Sequence, residues 1–285
     1  PRAFDLAITF ATRGAAPAMR LLGQMYAGGL GVDTDHTEAL EWFRLASDAG
    51  AVEAKVLLAT MLLDGAVVER DEDAAAMLLQ TARDNGHVSA PHMLGMLHLE
   101  GRGVLRSLTN GADLMRYAAE AGDATAQYTL GILYSEGAGV RQDTRESFRW
   151  FDQAARGGNT EAQIEFALGL LRGDAGDPAL SEERRVDDAI FWLRRAAEAG
   201  NPVAENRLAH AHAQGFGVPL DPVLATYYHQ RAVAGGLPDA RLDAFVNGLP
   251  EEQRQAAQAR LAQDRERERA QASAAAGIDA EQPLP

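Results

Sequence analysis

AQYTLGILYSEGAGVRQDTRESFRWFDQAARGG, residues 126–158, decides the fold. Ala126, Leu130, Gly131 and Tyr134 fall at i, i+4, i+5 and i+8, one face of a helix. Gly137, Gly139 and Val140 follow, and glycine can take the left-handed conformation that ends a helix while the valine plugs the turn. Asp143 with Glu146 then reads as a capping box opening a second helix, which carries Trp150, Phe151 and Ala154 on one side. The stretch spells a helical hairpin closed by Gly158.

The same signals recur on both sides. Gly14, Gly50, Gly86, Gly122 and Gly158 stand 36 residues apart, Gly200 follows after 42, and Gly236 after 36. First-helix residues recur as Ala18, Leu22, Gly23 and Tyr26, and turn residues as Gly29, Gly31, Val32, as Gly101, Gly103, Val104, and as Gly215, Gly217, Val218. Second helices open at Asp35, followed by Glu38, and at Asp221, followed by Pro222 at the first helical position. They carry Ala39, Trp42, Phe43 and Ala46, or Ala189, Trp192, Leu193 and Ala196, or Ala225, Tyr228, His229 and Ala232. One hairpin of this kind cannot bury both of its faces, so the units must stack into a superhelix with a concave and a convex surface.

The motif Ala-x3-Leu-Gly-x2-Tyr-x2-Gly-x-Gly-Val-x2-Asp-x3-Ala-x2-Trp-x3-Ala-Ala-x2-Gly resembles the Sel1-like repeat (SLR), a relative of the tetratricopeptide repeat. Residues 126–158 match it nearly throughout, with Ser147 at one alanine position. The resemblance implies an all-α, right-handed α-α superhelix, a solenoid of about six and a half 36-residue hairpins. It divides the solenoid, residues 1–248, into a half unit 1–14, full units 15–50, 51–86, 87–122, 123–158, 159–200 and 201–236, and a partial unit 237–248. A charged C-terminal helix over 249–270 should cap the last repeat, and residues 271–285 read as a disordered tail.

Some units depart from the pattern. Unit two has Leu62 for the aromatic and Val67 for a turn glycine; unit three has His98, Ser107 and Gly111 at the aromatic, cap and alanine positions. Gly111 inside a helix costs about 1 kcal/mol against alanine, which marks that hairpin as a soft spot. Unit five carries six extra residues around Asp174 to Ser181, expected to project as a loop, either as simple loop growth or as a partner contact.

Composition limits the chemistry. A net charge of −14 and the absence of a basic stripe disfavour nucleic acid. There is no cysteine for a disulfide or thiolate metal site, and no apolar run long enough to insert in a membrane. No phosphate loop, nucleophile elbow, zinc helix or calcium loop is present, so neither catalysis nor a metal nor a cofactor is expected. His210 and His212 lie about 200° apart on a helix and cannot chelate one ion, and His98 and His212 take the aromatic position of their units, where core packing is the ordinary role. Pro1 in place of an initiator methionine is expected to mark a trimmed or processed chain from which a targeting segment has been removed.

The first helices carry a second set of residues opposite the core positions, and in a solenoid these would line the concave groove. They are Arg20 and Gln24; Thr60 and Leu63; His92, Met96 and Leu99; Tyr128 and Ile132; Ile164, Leu168 and Leu171; Asn206 and His210. Through the middle units they form an apolar strip suited to a partner's amphipathic helix or extended peptide, unless a tight superhelix or the charged tail buries it. The family resemblance implies a non-catalytic adaptor or regulator, with bacterial relatives acting in the cell envelope. The sole lysine, Lys55, among many arginines fits a GC-rich bacterial source. The expected compartment is the periplasm or envelope, with the cytoplasm as the alternative. Two other functions stay open: binding or processing of cell-wall glycan or peptide, and self-assembly through the solenoid ends.

Overall fold

The computed structural model describes residues 2–275, and among these it contains helices and no strand. The chain divides into two compact units, Pro1–Gly157 and Gly158–Pro285. The first holds α1 (Arg2–Ala11), α2 (Ala16–Gly28), α3 (His36–Asp48), α4 (Val52–Asp64), α5 (Glu72–Asp84), α6 (Ala90–Glu100), α7 (Leu108–Glu120), α8 (Ala124–Glu136) and α9 (Thr144–Arg156). The second holds α10 (Thr160–Arg172), α11 (Glu182–Glu198), α12 (Pro202–Gln214), α13 (Pro222–Ala234), α14 (Ala240–Asn247) and α15 (Glu251–Ala275). Within each unit α2/α3, α4/α5, α6/α7, α8/α9, α10/α11 and α12/α13 pair as hairpins, and each second helix packs on the first helix that follows it in the same unit.

Every hairpin is closed by the same two devices. The glycine after the first helix is left-handed, and its N–H returns to a carbonyl of the last turn, as Gly137 does to Leu133 and Gly101 to Leu97. The capping residue of the second helix accepts from that helix's first turn: Asp143 from Glu146 N–H at 3.0 Å, Asp35 from Thr37 and Glu38, Ser107 from Asn110. The reciprocal half of the expected capping box is absent. The N–H of Asp35 donates instead to Tyr26 O, that of Asp143 to Tyr134 O, and that of Ser107 to His98 O. The cap therefore ties the second helix to the aromatic position of the first, and the serine variant in unit three caps its helix in the same way.

The interior explains the motif letter by letter. Leu22, Leu94, Leu130 and Leu208 are fully buried, and alanines at 39, 75, 112, 154, 189 and 225 have no exposed surface. In two units the glycine after the motif leucine makes room for an aromatic ring: a Cβ on Gly23 would lie 2.5 Å from Phe43, and one on Gly131 2.5 Å from Phe151. The second turn glycine serves the stack. A Cβ on Gly139 would lie 2.1 Å from the Leu108 carbonyl oxygen at the start of α7, and Gly103 meets the Glu72 carbonyl of α5 in the same way. Val104 and Val140 pack into the clusters built around the preceding second helix, so they seal the junction between hairpins and not only their own turn.

Three expectations are corrected. Gly111 is no vacancy, because Leu99 reaches across the hairpin and its Cδ2 sits 2.5 Å from where a Cβ would be. The six extra residues of unit five do not all form a loop: α11 has 17 residues where α9 has 13, and the connection is only modestly longer, anchored by buried Ala175. The C-terminal helix runs past residue 270 to Ala275, so the first five residues of the expected tail are helical, and 276–285 lie outside the described residues. Within the second unit α15 packs on α13, burying Ala257, with Arg260 over the Tyr227 ring at 5.1 Å and Asp264 accepting from the Tyr227 hydroxyl.

Candidate partner-binding surface

The first helices position the expected groove residues, and most are half-buried; only Thr60 is exposed. Ile164 is 6% exposed and belongs to the core, which corrects its place on an open surface. Leu63 packs against the buried cluster of α4, α5 and α6, and Met96 and Leu99 against that of α7 and α8. The Tyr128 ring leans on Phe151 at 5.7 Å. Ile132 lies half-buried in the first unit, as do Leu168 and Leu171 in the second.

Three polar residues of the same set, His92, Asn206 and His210, are occupied in joining hairpins. His92 Nδ1 lies 2.9 Å from Asp123, the residue that caps α8, and His210 Nε2 lies 2.8 Å from Asp239, the residue that caps α14. Asn206 donates to the same Asp239 oxygen at 3.1 Å. Hydrogen bonds from His210, and then from Asn206, hold the Asp239 carboxyl well below its usual range. Arg20 donates to Gln24 one turn on, at 3.0 Å. One capping carboxylate thus fixes its own helix and receives side chains of the previous first helix. An aspartate or asparagine just before α8, α10, α12 and α14, at 123, 159, 201 and 239, was the sequence signal that could have revealed this link.

A second polar cluster anchors the C-terminal helix. Arg231 Nε donates to Glu205 at 2.6 Å and its Nη1 to the Tyr227 hydroxyl at 2.9 Å. The carboxylate is the more buried partner, so burial raises the Glu205 pKa against the pull of Arg231. Burial works against the Arg231 charge, yet Tyr227 and Glu205 hold its pKa above the ordinary value. His212 is buried and stacked on Tyr228 with centroids 5.8 Å apart, and burial lowers its pKa, so it is a neutral core ring at pH 7. His98, by contrast, is half-buried and borders an open cavity. Among the described residues no cluster of three or more His, Asp or Glu could hold a metal ion, and no helix is long and apolar enough to cross a membrane.

The Sel1 repeat family model matches residues 16–50, 52–87, 89–123, 124–159, 164–201 and 202–237. An SLR-fold protective antigen of uropathogenic Escherichia coli strains is similar in structure, with TM-score 0.72 and 30% identity, over 89% of this chain and 54% of that protein. A Sel1 repeat protein from Oxalobacter formigenes superposes with TM-score 0.74 and 29% identity, over 84% of this chain and 67% of that one. The chain thus spans about half the length of the E. coli relative. A comparison with curated protein sequences finds no match. Sel1 repeats generally mediate interactions between proteins and typically act as non-catalytic scaffolds. With six matched repeats, each folded as the hairpin described above, the chain belongs to the Sel1 repeat family.

Proposed function

We propose that this protein is a non-catalytic adaptor or regulator that holds a partner polypeptide against the exposed faces of its first helices, in a bacterial envelope system. One observation carries the reading: α8 buries Leu130 and Leu133 and still leaves Ile132 and Tyr128 half-exposed on another face. A hairpin that needs one buried face has no use for a second apolar one unless something covers it. Family membership supports a protein as that partner. The E. coli relative is described as a protective antigen, which favours a location reachable from outside the cytoplasm.

The test is affinity capture followed by titration of the identified partner with purified protein. Ile132→Asp should weaken binding at least tenfold while far-UV circular dichroism and melting stay unchanged. Leu105→Asp, at a site 92% exposed in a turn, should bind as the wild type does. Equal affinity of Ile132→Asp, Leu105→Asp and the wild type would reject the surface. A reporter fusion to the natural full-length protein, active only outside the cytoplasm, tests the compartment.

A further inference from the structure

The repeats of the first unit can be compared position by position, and one junction between hairpins is underfilled. Where α8 and α9 meet α7, three large side chains close the space. Trp150 is 4% exposed and packs into the cluster that includes Ala112, Met115 and Ala118 of α7, Tyr134 packs against the same cluster, and Tyr134 helps hold the Arg116 pKa above its ordinary value. Thirty-six residues earlier, where α6 and α7 meet α5, the counterparts are Leu114, His98 and Gln80. Each is smaller than its counterpart, and together they lack about ten side-chain heavy atoms, an indole's worth.

The space is left open. A cavity of 730 Å³ lies there, lined by those three residues and by Arg83, Asn110, Asp113 and Tyr117. Its volume falls in the range of about 300 to 1,000 Å³ typical of ligand pockets. The lining fits a ring with a polar edge. Leu114 and Tyr117 offer apolar and aromatic surface, and Asn110 offers amide groups for a ring N–H or O–H. His98 Nδ1 lies 3.4 Å from the Leu105 carbonyl, so its Nε2 remains for a ligand. Arg83 and Asp113 already have ion-pair partners in Asp84 and Arg116, so the cavity presents no lone charge that would select an ion.

We infer that this cavity is a socket for an aromatic side chain, tryptophan or tyrosine, presented by the partner polypeptide. It is the place where the chain's own repeat puts an indole and a phenol at the next junction. The inference rests on the reading that the protein binds a polypeptide. It commits to the side chain of a partner, not to a free aromatic metabolite.

The experiment follows backbone amide shifts of the full chain during titration with N-acetyl-tryptophanamide, with N-acetyl-leucinamide and free L-tryptophan as the other arms. Saturable shifts at Gln80, Arg83, Asn110 and Tyr117 are expected with the capped indole, at least tenfold tighter than with the capped leucine. Leu114→Trp, which restores the repeat's own ring, should abolish those shifts and raise the melting temperature. His98→Tyr is the second filling variant, and loss of binding there supports the socket even if Leu114→Trp folds poorly. No saturable shift in the wild type, or unchanged binding in a folded filling variant, overturns the inference. Tighter binding of free L-tryptophan than of the capped form overturns it too, since a site selecting the charged ends serves a metabolite. None of these probes needs the partner, so failure here is distinct from failure of the Ile132→Asp test.

Discussion

Gly139→Ala should damage the protein through the junction between hairpins and not through the turn in which it lies. Gly139 has φ of +74°, and Gly122, at a unit boundary, has φ of +94°. An alanine at either position carries the left-handed penalty of about 1 to 2 kcal/mol. At Gly122 the new Cβ meets nothing within 4 Å, so the penalty stops there. At Gly139 it would stand 2.1 Å from the Leu108 carbonyl oxygen, 2.4 Å from the carbonyl carbon and 2.9 Å from Thr109 N. These are backbone atoms that cannot rotate away, so the junction between α7 and the α8/α9 turn must open by about 1 Å, which adds about 1 to 3 kcal/mol as overpacking does. Urea denaturation followed by circular dichroism should therefore show Gly139→Ala losing about 2 to 5 kcal/mol and Gly122→Ala about 1 to 2. Hydrogen exchange should quicken in the first turn of α7 in Gly139→Ala alone. Equal losses in the two variants, with no local change at Asn110, would refute the role of the second turn glycine as a stacking contact.

Gly111→Ala, a stabilising change by helix propensity alone, should instead cost about 1 kcal/mol or more in thermal melting, because Leu99 fills the space; a gain in stability would sink that account. Asp239→Asn should flatten the acid limb of stability. The folded pKa of Asp239 is depressed, so its contribution is fully present above about pH 4 and drains away as pH falls towards the folded value. Melting scans from pH 7 to pH 2 should show a shallower decline in the variant, and parallel curves would disprove the link. Arg231→Met should cost about 3 to 5 kcal/mol in chemical denaturation, since it strands the Glu205 carboxylate, 3% exposed, without its partner. Adding Glu205→Leu should recover most of that loss, and an additive double variant would contradict the pairing.

The surface between hairpins shows why sequence reading went part of the way. Offsets from Leu22 and Tyr26 picked out a second set of positions on every first helix, because a helix has one period and every unit repeats it. They could not tell that Leu99 would lean over Gly111, that His92 and His210 would spend themselves on Asp123 and Asp239, or that Ile164 would be covered. Each of these depends on the axial and lateral offset of one hairpin against its neighbour, and that offset is a property of two packed surfaces.

What the sequence determined alone was everything local or periodic: the 36-residue unit, the glycine that ends each first helix, the aspartate or serine that opens each second one, and the buried leucine and alanine positions. These follow from backbone sterics and helical periodicity, which act within a few residues. The tertiary structure alone decided what the second turn glycine touches, which polar residues of the first helices are consumed as inter-hairpin contacts, and where Leu114, His98 and Gln80 align to border a cavity. Those outcomes are set by packing between elements about one repeat apart in sequence, where close-packed surfaces and not local preferences choose the neighbours.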